Sequence, residues 1–468
     1  MDPLDLCFTP ATRLAALLRS RAVSPVDVVD AVLSRIDALE PELNAMTCVL
    51  HDQAREAART AEAAIMRGED RGPLHGIPVT VKDLFDVAGL PTGSGSLTRA
   101  GYVASESTSL VERLVAAGAI IIGKTTTSEF GWKGVSQSPR TGITSNPWRA
   151  GWNAGASSAG AGAGAGAGYG PLHQGSDGAG SIRMPAHFSG VYGLKPSFGR
   201  IPNVPVRNND QTSHSGPMTR TVADSALMLE VMAGPDPRDH YSLEMPPARY
   251  LDTLHHGVKG LRIAFSADLG HARVDPEIAA LVANAVEAFS ELGAHVEDFT
   301  PAWGPAGPDL IRYFWAAHEL PLAALLPEWE ARMDPGLVAC IHAAEESSAS
   351  DYVRMRGAKL DYIAAVHRTF ADYDLLLTPS VSVAAFPAER LQPEHWPQHP
   401  WDWLSWAEFS YPFNFSHNPA ASIPCGFTSD GLPVGLQIVG SRMNDALVLQ
   451  ASAAFETARP WADRRPLA

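Results

Sequence analysis

Residues 154–170 read AGASSAGAGAGAGAGYG, almost nothing but glycine and alanine, with no charge and no proline. By composition alone such a run is a flexible linker. Its setting argues otherwise, because the flanks are apolar and it leads into Gly175-Ser-Asp-Gly-Ala-Gly-Ser181. As a helix it would lose about 1 kcal/mol per glycine relative to alanine. It can persist only where neighbouring backbones come too close for larger side chains. The stretch therefore demands a large interior packed around it.

The rest of the chain can supply that interior. It has 468 residues, 45% hydrophobic and 19% charged, enough for two or three domains or one large α/β unit. Strands are expected at 77–82, 119–123, 262–266, 375–378 and 434–439, and helices at 109–117, 222–232 and 276–292. Such alternation predicts an α/β sheet covered by helices on both faces. Residues 1–70 read as a helical lead-in, opened by Ser24 as N-cap and Pro25 in the first turn of a helix. Residues 71–300 and 411–468 read as parts of one core. The span 301–410 holds seven of the eleven tryptophans and reads as a helical insertion, packed on the body or capping an apolar substrate pocket.

Several functions are disfavoured. A net charge of −15 argues against a surface that tracks nucleic-acid phosphates. Cys7, Cys48, Cys340 and Cys425 are scattered without a ligand or framework spacing, so reduced thiols are expected. The acidic N-terminus lacks the apolar segment of a secretory signal, and no apolar run reaches the ~18–20 residues of a membrane span. A cytoplasmic protein with no membrane partner is expected. No H-E-x-x-H is present, and no metal or cofactor is expected. Gly118-Ala-Ile-Ile-Ile-Gly123-Lys124-Thr125 fits the phosphate-loop pattern. Its Ala-Ile-Ile-Ile core is nevertheless a buried strand, whose amides belong to the sheet.

The segment Gly155-Ala-Ser157-Ser158-Ala-Gly-Ala161, then Gly175-Ser-Asp177-Gly178-Ala179-Gly180-Ser181-Ile-Arg183, resembles the hallmark of the amidase signature family. Ile77–Asp83, with Lys82 at a strand end, matches the family's upstream lysine. Val191–Pro196, Gly216–Arg220 and Asn418–Gly426 add further blocks in order. The resemblance runs from about residue 10 to the C-terminus. It implies the amidase signature fold, with a large open mixed sheet, and hydrolysis of amide-type C–N bonds.

Carried over by position, the resemblance implies Ser181 as nucleophile, Ser157 as bridging serine and Lys82 as base, with a cis peptide at Ala156–Ser157. The residue types suit the task. A serine hydroxyl attacks poorly until a base takes its proton. A lysine serves as that base only when neutral, which calls for burial. A hydroxyl that both donates and accepts can relay the proton. The amides of Gly178, Ala179 and Gly180 are expected to face the developing oxyanion. Ser158 is expected to support Lys82 and Ser157 by hydrogen bonding, Asp177 to order the loop, and Arg183 to form an ion pair. Arg207, in the polar segment 203–213, is a candidate substrate or loop anchor. The chain departs from the family pattern in Ala156, Ala159, Ala161 and Thr126.

Three readings follow. The first is a free-standing amidase, monomeric or homodimeric, cleaving aryl or bulky N-substituted amides. A carbamate (urethane) hydrolase is a close variant on the same site. The third is the amidase-like component of a tRNA-dependent amidotransferase.

Overall fold

The computed structural model describes residues 1–206, 209 and 211–466. Eleven strands form the main sheet: β1 (Met46–Val49), β2 (Pro78–Lys82), β3 (Ile120–Thr125), β4 (Leu172–Asp177), β5 (Tyr192–Lys195), β6 (His214–Thr219), β7 (Arg262–Phe265), β8 (His295–Asp298), β9 (Leu375–Pro379), β10 (Ala420–Phe427) and β11 (Pro433–Gly440). Their order is β1-β3-β2-β4-β6-β5-β10-β11-β9-β7-β8. The sheet is mixed. β2 runs parallel to β3 and β4, and β7 parallel to β8 and β9. β10 and β11 are antiparallel neighbours.

The Gly/Ala run forms a helix, Ala159–Ala167, every residue of which is buried. A Cβ at Gly160 would collide with the Ala45 carbonyl and come within 2.6 Å of the Thr126 amide. A Cβ at Gly162 would stand 2.8 Å from the Pro185 side chain. This helix and the next, Arg183–Ser189, pack together and onto the sheet. Helices Val222–Met232, Pro276–Glu291 and Asp445–Ala458 form a second group packed on the sheet. Small residues let the first pair sit almost on the strands, which brings the Ser157–Ser158 loop down to the end of β2.

The lead-in differs from an all-helical expectation. Ser24 caps the helix Pro25–Leu43 by accepting from the Val26 amide at 2.9 Å. That helix ends at Asn44 in a left-handed conformation, after which Met46–Val49 joins the sheet as β1. Ile120–Thr125 of the Gly118–Thr125 motif is the strand β3, as its apolar core required, and Lys124 is spent on a buried ion pair with Asp83 at 2.8 Å. The span 301–410 is interrupted by β9, a strand of the main sheet between β11 and β7, so it is no single insertion. Its tryptophans build a second core in which Trp315 and Trp403 both donate their indole N–H groups to the Trp132 carbonyl, at 2.9 and 2.8 Å.

Candidate active site

β2 ends at Lys82, whose side chain is fully buried. Its Nζ lies 2.8 Å from Ser157 Oγ, 2.9 Å from Ser158 Oγ and 3.0 Å from Ser176 Oγ. Ser157 and Ser158 precede the small-residue helix, and Ser176 lies on β4, the parallel neighbour of β2. The Ala156–Ser157 peptide is cis. Ser158 Oγ donates to the Ser176 carbonyl at 3.0 Å and accepts from the Ser176 amide at 3.1 Å. Its hydroxyl proton is thus committed, and toward Lys82 it acts as an acceptor.

Beyond β4 the chain turns through Gly178-Ala179-Gly180 into Ser181, and the Arg183–Ser189 helix follows. The Ser181 carbonyl accepts from the Ser158 amide at 3.2 Å, tying the two serine segments together. Asp177 organises the turn. Its carboxylate accepts from the Gly180 amide at 2.7 Å, the Ile182 amide at 3.2 Å and Asn414 Nδ2 at 2.9 Å. Arg183 donates to it through Nε at 2.9 Å and Nη2 at 2.8 Å, and both side chains are fully buried. Burial alone would raise the Asp177 pKa. The adjacent Arg183 charge and its hydrogen bonds, with Lys195 and Asn414, override that and hold the carboxyl well below the usual carboxylate range. The remaining Arg183 donors reach the Ser410 carbonyl, Gln437 and Asn414.

One expectation is corrected here. The Gly180 amide is spent on Asp177, whose Oδ1 accepts from it at 2.7 Å, and is not available to an oxyanion. Gly178 and Ala179 remain candidates for that role.

Ser157, Ser176, Gly178 and Ser181 line a cavity of about 220 Å³ with Leu84, Phe130, Trp315 and Glu319. Asn209, Thr212 and Ser213, from the polar segment 203–213, also border it. Arg207 lies outside the described residues. The cavity shares Asn209 and His318 with a wider groove of about 620 Å³, bordered by Tyr241, Tyr313, Leu320 and Tyr352. Trp315, His318 and Glu319 come from the end of the helix Gly307–Glu319, which no motif marked. Ser176 was missed too, although its place two residues after the sheet residue Gln174 puts it on the face where Gln174 Oε1 accepts from the Lys82 amide.

The family model described as Amidase matches residues 27–449. The chain belongs to the amidase family. This amidase is 41% identical to an acylamidase of Rhodococcus erythropolis over 480 residues, spanning 100% of this chain and 98% of that protein. It is 36% identical to an amidase of Pseudomonas putida, over 97% of both chains. A glutamyl-tRNA(Gln) amidotransferase component from Moorella thermoacetica is 33% identical, over 99% of both chains. Among solved structures it is similar to a bacterial aryl acylamidase of the amidase signature enzymes, with a TM-score of 0.90 and 31% identity over 97% of each chain. The protein is an amidohydrolase. Among the described residues no helix of this amidase is long and apolar enough to cross a membrane.

Proposed function

We propose that the protein hydrolyses aryl or bulky N-substituted amides through an acyl-enzyme on Ser181, with Ser157 and Lys82 relaying the proton. The observation that carries this reading is the 2.8 Å contact between Lys82 Nζ and Ser157 Oγ, at the edge of a cavity that Ser157 and Ser181 both line. A neutral amine has one lone pair. Ser158 uses its proton on the Ser176 carbonyl, so it does not compete for that lone pair. The Ser157 hydroxyl is free to donate to it.

The steps balance simply. Ser181 Oγ bonds to the substrate carbonyl carbon while its proton passes to Ser157, and the proton of Ser157 passes to Lys82. The oxyanion that forms accepts from amides of the turn before Ser181, Gly178 and Ala179 among them. The C–N bond then breaks, and the proton held at Lys82 returns through Ser157 to the departing amine. Water, deprotonated by the same relay, attacks the acyl-enzyme, and Ser181 leaves with its proton restored.

Tyr241, Tyr313 and Tyr352 of the groove favour an aryl or bulky amine half over small polar amides. The acylamidase relative, at 41% identity against 33% for the amidotransferase component, supports an amidase over the amidotransferase reading. The test is amine release from anilides, primary amides, N-aryl carbamates and esters, with Ser181→Ala as control. Turnover of anilides that disappears in Ser181→Ala is expected. Unchanged turnover in that variant would overturn the mechanism, and exclusive cleavage of primary amides would overturn the substrate class.

A further inference from the structure

Glu319 is buried, with 8% of its surface exposed, yet it lines the same cavity as Ser181. Among the described residues its carboxyl has no hydrogen bond and no ion pair. The charged and polar groups nearby do not answer it. His318, its neighbour in the chain, also lines the cavity. Cys340, on the packed helix Pro335–Glu345, is a thiol whose own pKa is pushed up, first by burial and then by Glu319. Other buried acids near the site have partners: Asp177 has Arg183, Asp83 has Lys124, Asp334 has Lys133, and Glu129 accepts from the Ser96 hydroxyl.

A buried carboxylate without a partner is costly, and the group avoids the cost by keeping its proton. Burial pushes the Glu319 carboxyl up to about 8. At neutral pH it is therefore an O–H donor at the wall of a substrate cavity. A carboxylic acid kept neutral by burial in this way is an effective hydrogen-bond donor.

The position of the cavity says which half of the substrate it meets. During acyl-enzyme chemistry the amine must leave and water must enter while the acyl group stays. The wider groove, which meets this cavity at Asn209 and His318, offers the departing amine its room, and the inner cavity is left to the acyl group. Its 220 Å³ is several times the about 30 Å³ that a water molecule occupies in the liquid, room for a short acyl group.

We propose that Glu319 forms a polar subsite for the acyl half of the substrate, its carboxyl O–H donating a hydrogen bond to an uncharged acceptor oxygen such as an ether or ketone. This rests on the acyl-enzyme reading of Ser181. It narrows the substrate class to amides of short, oxygen-bearing acids.

The experiment compares three anilides whose acyl groups have nearly the same shape: butyryl, methoxyacetyl and β-alanyl, the last ending in an ammonium. The readout is the ratio of kcat/KM for methoxyacetyl over butyryl, in which titration of the shared catalytic groups cancels. In Glu319→Leu the ratio is expected to fall about five- to tenfold, the worth of one hydrogen bond. In Glu319→Gln, which keeps a neutral donor, it should stay within about threefold of the parent. In the parent the ratio should also fall as pH rises through about 8, where the O–H is lost, and in Glu319→Gln it should be flat. Should the leucine variant not fold, the pH profiles of parent and Glu319→Gln decide alone. A ratio unmoved by pH and by either variant overturns the subsite while leaving Ser181-dependent hydrolysis intact. A tenfold preference for the β-alanyl over the butyryl anilide at pH 6, lost in Glu319→Gln, overturns it as well, since the pocket would then hold a carboxylate that takes ammonium groups. If no anilide is cleaved in a Ser181-dependent way, the acyl-enzyme reading and the subsite fall together.

Discussion

Arg183 and Asp177 form an ion pair of 2.8 Å with neither side chain reaching solvent, directly beneath the turn that presents Ser181. Removing one partner leaves the other buried and unanswered, a loss of roughly 3–5 kcal/mol. Arg183→Met is therefore expected to lower unfolding free energy at pH 7 by that order, measured in urea. The double replacement Arg183→Met with Asp177→Leu should recover part of it.

The same pair sets an acid limit. The folded-state pKa of Asp177 is depressed, so its contribution to stability is fully present above the ordinary carboxylate pKa. It is lost as pH falls below that range toward the depressed folded value. Asp177→Asn should be less stable than the parent at pH 7, with the gap narrowing by pH 3. Urea melts at the two pH values check this, and a gap that widens in acid would contradict it.

Lys82 and Ser157 are expected to act as one unit. Lys82→Ala and Ser157→Ala should each lower kcat by about 10³-fold or more, and the double variant should be little worse than either single one. Additive losses in single-turnover anilide cleavage would mean that the two residues serve separate steps.

Two glycines should respond in opposite directions. Gly160→Ala drives a methyl into the Ala45 carbonyl and the Thr126 amide, and should cost about 1–3 kcal/mol. Gly357 lies inside the helix Ala349–Asp372 with nothing within 4 Å of its Cβ direction. Gly357→Ala should stabilise by roughly 0.5–1 kcal/mol through helix propensity. Thermal melts of both variants test the packing argument against the propensity argument.

The residues around Lys82 were legible because each sits in a short block that resembles one of the amidase signature family, in the family's order. A lysine ends a strand, two serines precede a run of small residues, and a serine follows a glycine turn. Glu319 and Trp315 were not legible. They lie near the end of a helix whose sequence carries no motif, and only tertiary packing turns that end toward Ser181. The edge strand Met46–Val49 escaped notice for a related reason. Four residues between two helices carry too little periodicity to be told from a loop until β3 pairs with them. The Gly180 amide shows the limit of motif transfer, since a glycine in the right place can still have its N–H taken by a neighbouring carboxylate.

Lys82 and Ser176 meet because β2 and β4 are adjacent and parallel, though the chain between them includes another strand, β3, and the loop that carries Ser157 and Ser158. The proposed proton relay therefore has no counterpart in any local fragment. It comes into being only when distant strands have paired, which is the slow, topology-limited part of assembling such a sheet. If the relay works as proposed, turnover is a direct gauge of whether the centre of the sheet has closed, because a partly folded form that lacks the β2–β4 pairing would lack the Lys82 site.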